Sequence, residues 1–482
     1  MANYRSNSSS LFAGIDWGAV ACYAAIVLFG WVAITAASFD EEIGPMFSFA
    51  HFYIKQAVWI CVAAVVAIFV LLLDERYYHM WAYPIYIGAL LLLAGTLVLG
   101  TEINGAKAWY RFGSIALQPV EFVKIATALA MARMMSEYHF AINTPRGLMR
   151  AALLLLFPMG IILAQNDTGS ALVFGAFLFM LYREGLHQWF CIPLLMMVAL
   201  FIGSFVLSPM LLLVLLVLIY IFSETMMSGE FRSRIIFLAA MGLSSIILFG
   251  VVNLLFPDTL SYYGSLLITT VVAAIGAVIY AIRYRIGSIV ITVFLFLGSM
   301  LFLQTTEYFF DSVLQEHQRD RLMTLFGIVN DPLGTDYNVI QAKIAIGSGG
   351  ITGKGFLQNT QIKHGFVPEG HTDFIFCTVG EEWGLMGSLL LLGLMCMLIL
   401  RLMRMGERQE EPFGRIYCYC VASILLFHTF VNVGMLIGLM PVMGIPLPFV
   451  SYGGSSLIAF TIMLFIAIRL DASTRQFSFS KM

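Results

Sequence analysis

Charge is what this sequence most lacks: Asp, Glu, Lys and Arg together make up 11% of its 482 residues, where a soluble chain carries about 25%. Hydrophobic residues occupy 60%, and that balance excludes an ordinary water-soluble globule. An excess of positive charge is missing too. The 26 Lys+Arg against 28 Asp+Glu leave a net charge of −2, so there is no basic field to attract nucleic acid. Cysteine is scarce, and its seven occurrences, Cys22, Cys61, Cys191, Cys377, Cys396, Cys418 and Cys420, all lie in apolar segments. None forms a CxxC pair or a zinc-ligand spacing, so buried thiols are expected, with neither a disulfide nor a metal staple. Only Arg5 precedes the first apolar run. No small-residue cleavage site is evident there, so the run reads as a retained helix rather than a leader.

What is present in abundance is apolar sequence in blocks, and a helix needs about 20 apolar residues to cross the hydrocarbon core. Uninterrupted windows place spans near 16–38, 53–73, 79–99, 120–136, 148–164, 168–182, 187–206, 208–223, 234–256, 264–282, 288–304, 372–400, 416–437 and 453–469. The expected fold class is therefore an all-α polytopic membrane protein of about fourteen transmembrane helices. Around Ser208-Pro209 the windows 187–206 and 208–223 read equally as one broken helix, which would make thirteen. Basic residues decide between the two counts. With fourteen spans and both termini cytoplasmic, 17 of the 26 Lys and Arg residues fall on the inner side, as the positive-inside rule requires. Thirteen would turn Arg401, Arg404, Arg408 and Arg415 outward. The short outer loops then hold Lys55, Lys107 and Arg111, Lys124 lies within a span, and the other five belong to an exterior segment, 305–371.

Polar groups are costly in lipid, so Gly-, Pro- and charge-rich stretches beside the bilayer are where chemistry is sought. Four stand out, all on the exterior face. In the first, Asn104 to Gly113 contains Trp109 and is followed by Gln118-Pro-Val-Glu-Phe-Val-Lys124. Pro119 suits a helix's first turn, and Glu121 and Lys124 then share one face, either as a local ion pair or as a ligand site. The second is Gln165-Asn-Asp-Thr-Gly-Ser170, where Asp167 reads most simply as a helix cap. The third, Pro441 to Ser456, holds three prolines among its glycines, with Ser451 among the candidate binding residues; this composition builds rigid non-helical backbone. Upstream, His428 and Asn432 sit one helical turn apart inside a span, which suggests a buried helix-to-helix hydrogen bond.

The fourth stretch is the exterior segment itself, running through His317, Arg319, Arg321, Lys343, the run Gly347-Ser-Gly-Gly350, Gly353-Lys-Gly355, Lys363 and His371-Thr-Asp373. It is not a Walker loop, because Ser348 and Gly355 stand where that pattern needs Gly and Ser/Thr. Its glycine amides with Arg319, Arg321, Lys343, Lys354 and Lys363 read either as a cradle for an anion such as a diphosphate or as solvated loop charges. His371 and Asp373 fall far short of a metal ligand set. Asp373 opens a span at the edge of the hydrocarbon. It suits an N-cap, and equally a general base partly withdrawn from water.

The stretches QAKIAIGSGGITGKGFLQNTQIKHGFVPEGHTDFIFCTVGEEWGLMG and GIPLPFVSYGGSSL closely resemble the two signatures of the SEDS family of bacterial membrane proteins, and the resemblance covers most of 15–206 and 288–470. Val120 stands where the family has a small hydroxyl residue, and NDTGS replaces PDLGT. The family's usual ten spans imply a core of 1–206 and 288–482 interrupted by a four-span insertion, 207–287, which is nearly all apolar and carries no candidate catalytic residue. An even insertion preserves the topology. The resemblance implies a peptidoglycan glycosyltransferase of the cytoplasmic (inner) membrane, polymerising lipid II on its outer face during cell elongation. A class B penicillin-binding protein, which is a transpeptidase, and other elongation-complex membrane proteins are the implied partners. Asp373 matches the family's essential aspartate, and undecaprenyl diphosphate would be the leaving group. No resident cofactor is implied, and a divalent metal is compatible. The rival readings are a lipid II flippase, a non-catalytic scaffold for cell-wall enzymes and a secondary transporter. The transporter would need an inverted repeat that is not evident.

Overall fold

The computed structural model describes residues 14–39, 51–103, 105–113, 115–228, 231–256, 260–285, 287–312, 319–320, 323, 337–367 and 369–481. Every apolar window read from the sequence coincides with helix, and two separate helices, Gln188–Val206 and Pro209–Ser228, flank Ser208-Pro209. Among the described residues, eight helices are long and apolar enough to cross a membrane, and five shorter apolar helical stretches accompany them. The chain is an integral membrane protein.

The helix ends follow local chemistry. Asp16 accepts from the Ala19 amide to open Trp17–Ser38, and Thr144 does the same for Gly147 ahead of Pro145–Ala164, satisfying amides that have no intrahelical partner. Pro119 and Pro412 begin Pro119–Met135 and Pro412–Leu436, where the missing N–H costs nothing. The window at 168–182 is interrupted: Thr168–Val173 and Phe177–Arg183 are α-helical, with a 3-10 turn at Phe174–Ala176 between them.

Compact packing divides the chain into two units, residues 1–187 with 331–482, and 188–330. In the first unit, Pro412–Leu436 and Gly454–Arg475 are central, with 72% and 78% of their apolar windows buried, whereas Glu75–Leu99 shows 22% and forms the rim. Pro119–Met135 is also central, with only Phe122, Arg133 and Met135 less than fully buried. The second unit packs its helices around Leu213, Leu216, Val293 and Met300. It is wider than the 207–287 segment at both ends, and that segment holds three helices, Pro209–Ser228, Phe231–Leu255 and Tyr262–Tyr284, so the expected four are reached only with Gln188–Val206.

Two expectations need correction. The fold is not purely α. Between Glu75–Leu99 and Pro119–Met135 lies an antiparallel sheet of β1 (Thr101–Ile103), β2 (Ala106–Phe112) and β3 (Ile115–Leu117), in the order β1-β2-β3. Thr101 pairs with Trp109, and Tyr110 with Leu117. The turns use Gly105 and Gly113, both at positive φ, a conformation glycine takes without a Cβ penalty. Nor are all thiols buried. Cys22, Cys377, Cys418 and Cys420 are, but Cys61 and Cys396 are exposed, because they sit on outward faces of their helices, where an apolar side chain is solvated by lipid.

Candidate functional site

The long helix Ile375–Arg408 breaks at Gly384, where φ is 62° and ψ is −158°. A break there separates the Glu381 and Glu382 carbonyls from the Leu385 and Met386 amides, which a continuous helix would join. The glycine-rich loop fills the gap. The Lys354 and Gly355 amides donate to the Glu381 and Glu382 carbonyls, each at 3.0 Å, and the Gly350 and Ile351 carbonyls accept from Leu385 and Met386 at 2.9 and 3.1 Å. All four orphaned groups are thereby paired. Side chains could not fit in so close an approach: a Cβ on Gly349 or Gly353 would run into the carbonyl of Gly380 or Glu382, and one on Gly384 into the Gly353 amide.

The same loop closes over two buried carboxylates. Glu381 Oε1 accepts from Lys354 Nζ at 2.6 Å, from the Thr360 amide at 2.8 Å and hydroxyl at 2.9 Å, and from the Gln361 amide at 3.1 Å. Glu382 Oε1 accepts from the Leu357 amide at 3.0 Å and from Asn359 Nδ2 at 2.8 Å, and Asn359 also donates to the Ala36 carbonyl. Lys354 is therefore already neutralised, and the amides of Lys354 and Gly355 are already engaged. Lys343, on the helix Tyr337–Ser348, is exposed, and its ammonium lies against Gly438. Lys363 is exposed in the loop. Arg319 is half-buried in the 188–330 unit, and Arg321 and His317 lie outside the described residues.

Asp373 stands where the loop enters Ile375–Arg408. The N-cap of that helix is Phe374, so the capping role is not filled by Asp373. The residue is half-buried. Its carboxylate lies beside Gly444, where a Cβ would sit 3.4 Å from Oδ2. Its carbonyl accepts from Asn432 Nδ2 at 2.9 Å, and the same amide group donates to the Ile445 carbonyl at 2.8 Å. Two residues upstream, the His371 carbonyl accepts from the Tyr452 amide at 2.9 Å. Its imidazole stacks on Phe52 at 4.3 Å, and Tyr452 meets Phe52 edge-on. Burial pushes the His371 imidazole below its ordinary value, with Glu369 opposing. Ser451 shapes the loop from within, its hydroxyl accepting from the Leu447 amide at 2.8 Å.

Glu121 and Lys124 form a buried ion pair of 2.9 Å. Lys124 Nζ also reaches His428 Nε2 at 2.9 Å and lies 4.9 Å above the Phe460 ring. An ammonium can only donate, so Nε2 accepts, and the proton of the neutral ring sits on Nδ1, which donates to the Pro446 carbonyl at 3.1 Å. The pair is thus tied to the 441–456 loop. Gln118 donates to Asp167 at 3.2 Å, and Asp167 caps the following helix through the Ser170 amide. Trp109 is half-buried in β2. Among the described residues, no three His, Cys, Asp or Glu side chains come together as a metal site. Sequence reasoning does not reach the contacts of His428 and Asn432 with the loop; the signal available is a polar pair one turn apart on an apolar helix.

The Lys354 geometry yields a stability test. Lys354→Met leaves the Glu381 carboxylate buried with its cation gone, and the expected loss is about 1–3 kcal/mol, read as a lowered Tm in detergent. Lys354→Met with Glu381→Gln should regain most of it. An unchanged Tm in the single variant would show that Lys354 is not a structural partner.

The residues from 17 to 212 and from 200 to 476 match the family of cell cycle proteins that comprises FtsW, RodA and SpoVE. Among curated proteins, the chain is 32% identical to the peptidoglycan glycosyltransferase RodA of Treponema pallidum over 88% of this chain and 90% of that one. It is 30% identical to the peptidoglycan glycosyltransferase MrdB of Escherichia coli, over 90% and 87%. A solved chain from work on the structural coordination of polymerization and crosslinking by a peptidoglycan synthase complex is 27% identical, covers 96% of this chain and 99% of that one, and superposes with a TM-score of 0.57. With both signature loops, the kinked helix and the central helices inside the matched residues, the chain belongs to the FtsW, RodA and SpoVE family of cell cycle proteins.

Proposed function

We propose that this protein is a peptidoglycan glycosyltransferase that polymerises lipid II into glycan strands at the outer face of the cytoplasmic membrane during cell elongation. The observation that carries the reading is the setting of Asp373. It is a half-buried carboxylate at the mouth of a membrane helix, not its N-cap, held between the kinked-helix loop and the 441–456 loop. Asp373 takes the proton of an acceptor sugar hydroxyl as that oxygen attacks the anomeric carbon of the donor, and the bond to undecaprenyl diphosphate breaks with inversion. Lys343 and Lys363, exposed and without an ion pair among the described residues, supply positive charge for the diphosphate. A class B penicillin-binding protein is the proposed partner, cross-linking the strands. No step is assigned to a metal.

One general base contributes about 10²–10⁴-fold. Asp373→Asn should therefore keep its Tm and its binding of lipid II, while polymerisation of labelled lipid II by the purified protein falls at least about 100-fold. Near-normal glycan chains from that variant would remove the base and bring the flippase or scaffold reading forward. The flippase reading needs charges available along a path through the membrane, and Glu121 and Lys124 are instead closed within their own pair and His428.

The fourteen-span topology, with both termini cytoplasmic and the Asp373 site exterior, rests on the distribution of basic residues. Asn359 and Gln409, the natural loop positions for labelling, are both buried, so the test belongs at exposed neighbours. In a background without the native cysteines, Lys363→Cys should react with an impermeant maleimide on intact spheroplasts and Glu410→Cys should not. Labelling at position 410 would invert the orientation.

The four helices from Gln188 to Tyr284 are proposed as structural, since the described residues there build an apolar core without a charged cluster. Removing 188–286, four helices and so an even number that keeps the topology, should leave polymerisation per folded molecule largely intact. Complete loss in a well-folded deletion protein would assign that segment a part in catalysis.

A further inference from the structure

The 441–456 loop has an unusual shortage of backbone donors. Pro441, Pro446 and Pro448 have no N–H, while every residue of the stretch still carries a carbonyl that must be paired wherever it is buried. Side chains of the helix Pro412–Leu436 supply the missing donors. His428 Nδ1 serves the Pro446 carbonyl and Asn432 Nδ2, one turn further on, serves the Ile445 carbonyl. Asn432 then spends its second amide hydrogen on the carbonyl of Asp373, 59 residues away in sequence.

The rest of the Asn432 side chain underlines this role. It is fully buried, and its Oδ1 has no hydrogen-bond partner among the described residues. Both of its donors are used and its acceptor is not, so the amide is held in place for what it donates. A buried side chain serving only to fill space would be apolar at no such cost. His428 is held in turn by Lys124 and Glu121, so the helix face that presents Asn432 is anchored on both sides of the central bundle.

We propose that Asn432 is a positioning residue for glycosyl transfer, clamping Asp373 to Ile445 so that the carboxylate keeps a fixed place beside Gly444. The inference rests on the polymerase reading. It concerns geometry rather than basicity: a donor on the carbonyl holds the backbone, whereas a donor on the carboxylate would lower its proton affinity. Displacement of a catalytic group by about 1 Å can cost on the order of 10²-fold in rate, and such a loss falls on turnover rather than on substrate binding.

The test uses the purified full chain with labelled lipid II, measuring kcat, KM and Tm for the parent, Asp373→Asn, Asn432→Leu and Asn432→Ser. Leu is close to Asn in size and has no donor; Ser keeps one hydroxyl. The expected result is a kcat at least about tenfold lower in Asn432→Leu, with KM within about threefold of the parent, and a smaller kcat loss in Asn432→Ser. If Asn432→Leu does not fold, Asn432→Ser carries the comparison, and failure of both to fold assigns Asn432 to packing and overturns the proposal. So does a kcat within twofold of the parent, a loss confined to KM, or a kcat loss that follows Tm across the two variants. A parent without polymerase activity would overturn the polymerase reading itself, whereas an active parent, an inactive Asp373→Asn and an unaffected Asn432→Leu would overturn only the clamp.

Discussion

A helix that breaks inside an apolar bundle leaves carbonyls and amides that water cannot reach, and each must find another partner or carry a penalty of several kcal/mol in lipid. The break at Gly384 is answered by the loop 349–361, which returns both carbonyls and both amides to hydrogen bonds. Much of the architecture around the break follows from that repair. The loop must come within backbone contact of the helix, so Gly349, Gly353 and Gly384 have no space for side chains. Two glutamates on the broken turn are covered by the same loop and take its amides, Lys354 and Asn359 as donors. The chain then reenters the helix at Phe374 with Asp373 at its threshold.

Elsewhere in the same unit, the buried charges among the described residues fall into closed groups. Glu121, Lys124 and His428 form one. At the N-terminal end of Trp17–Ser38, Asp16 and Asp471 share Arg401, Arg408 and Arg475, joining three helices. Burial alone would raise the Asp16 carboxyl, but the Ala19 amide and the three guanidinium groups outweigh it and hold the carboxyl below its ordinary range. Gly18 leaves the room that the Arg401 guanidinium occupies. Such groups add little net stability over an apolar core, and their removal one partner at a time is costly. Their effect is to admit one helix arrangement and to penalise its neighbours.

The apolar windows were legible because lipid imposes a single requirement on length and composition, and the helices coincide with them. What was not legible is non-local. The sheet at 101–117 is built from short strands whose pairing depends on two glycine turns, and Tyr337–Ser348 is a helix inside a polar segment with no span signal. The glycine run shows the difficulty most clearly. Glycine enrichment reports that backbone must come close to something, and the sequence cannot distinguish a phosphate from another stretch of backbone; here the approaching group is the broken helix. Asp373 was legible as a carboxylate bordering an apolar run, but its distance from capping is a matter of where Phe374 places the helix start. His428 and Asn432 were legible as a polar pair, and their partners at 445, 446 and 373 were not.

Two different solutions to one problem meet at Asp373. On one side, a helix is broken and its orphaned carbonyls and amides are paired by the backbone of the loop 349–361. On the other, prolines strip donors from the 441–456 loop, and side chains of an intact helix replace them. Backbone repair tolerates almost no change at Gly349, Gly353 and Gly384, where an added Cβ meets backbone rather than a movable side chain. Side-chain repair is adjustable, since Asn432 and His428 reach the loop through rotatable bonds from a helix whose own hydrogen bonds are complete. The place of the carboxylate is thus set by a fixed wall and a tunable one, and variation in how tightly the site is organised is to be sought on the Pro412–Leu436 helix rather than in the glycine run.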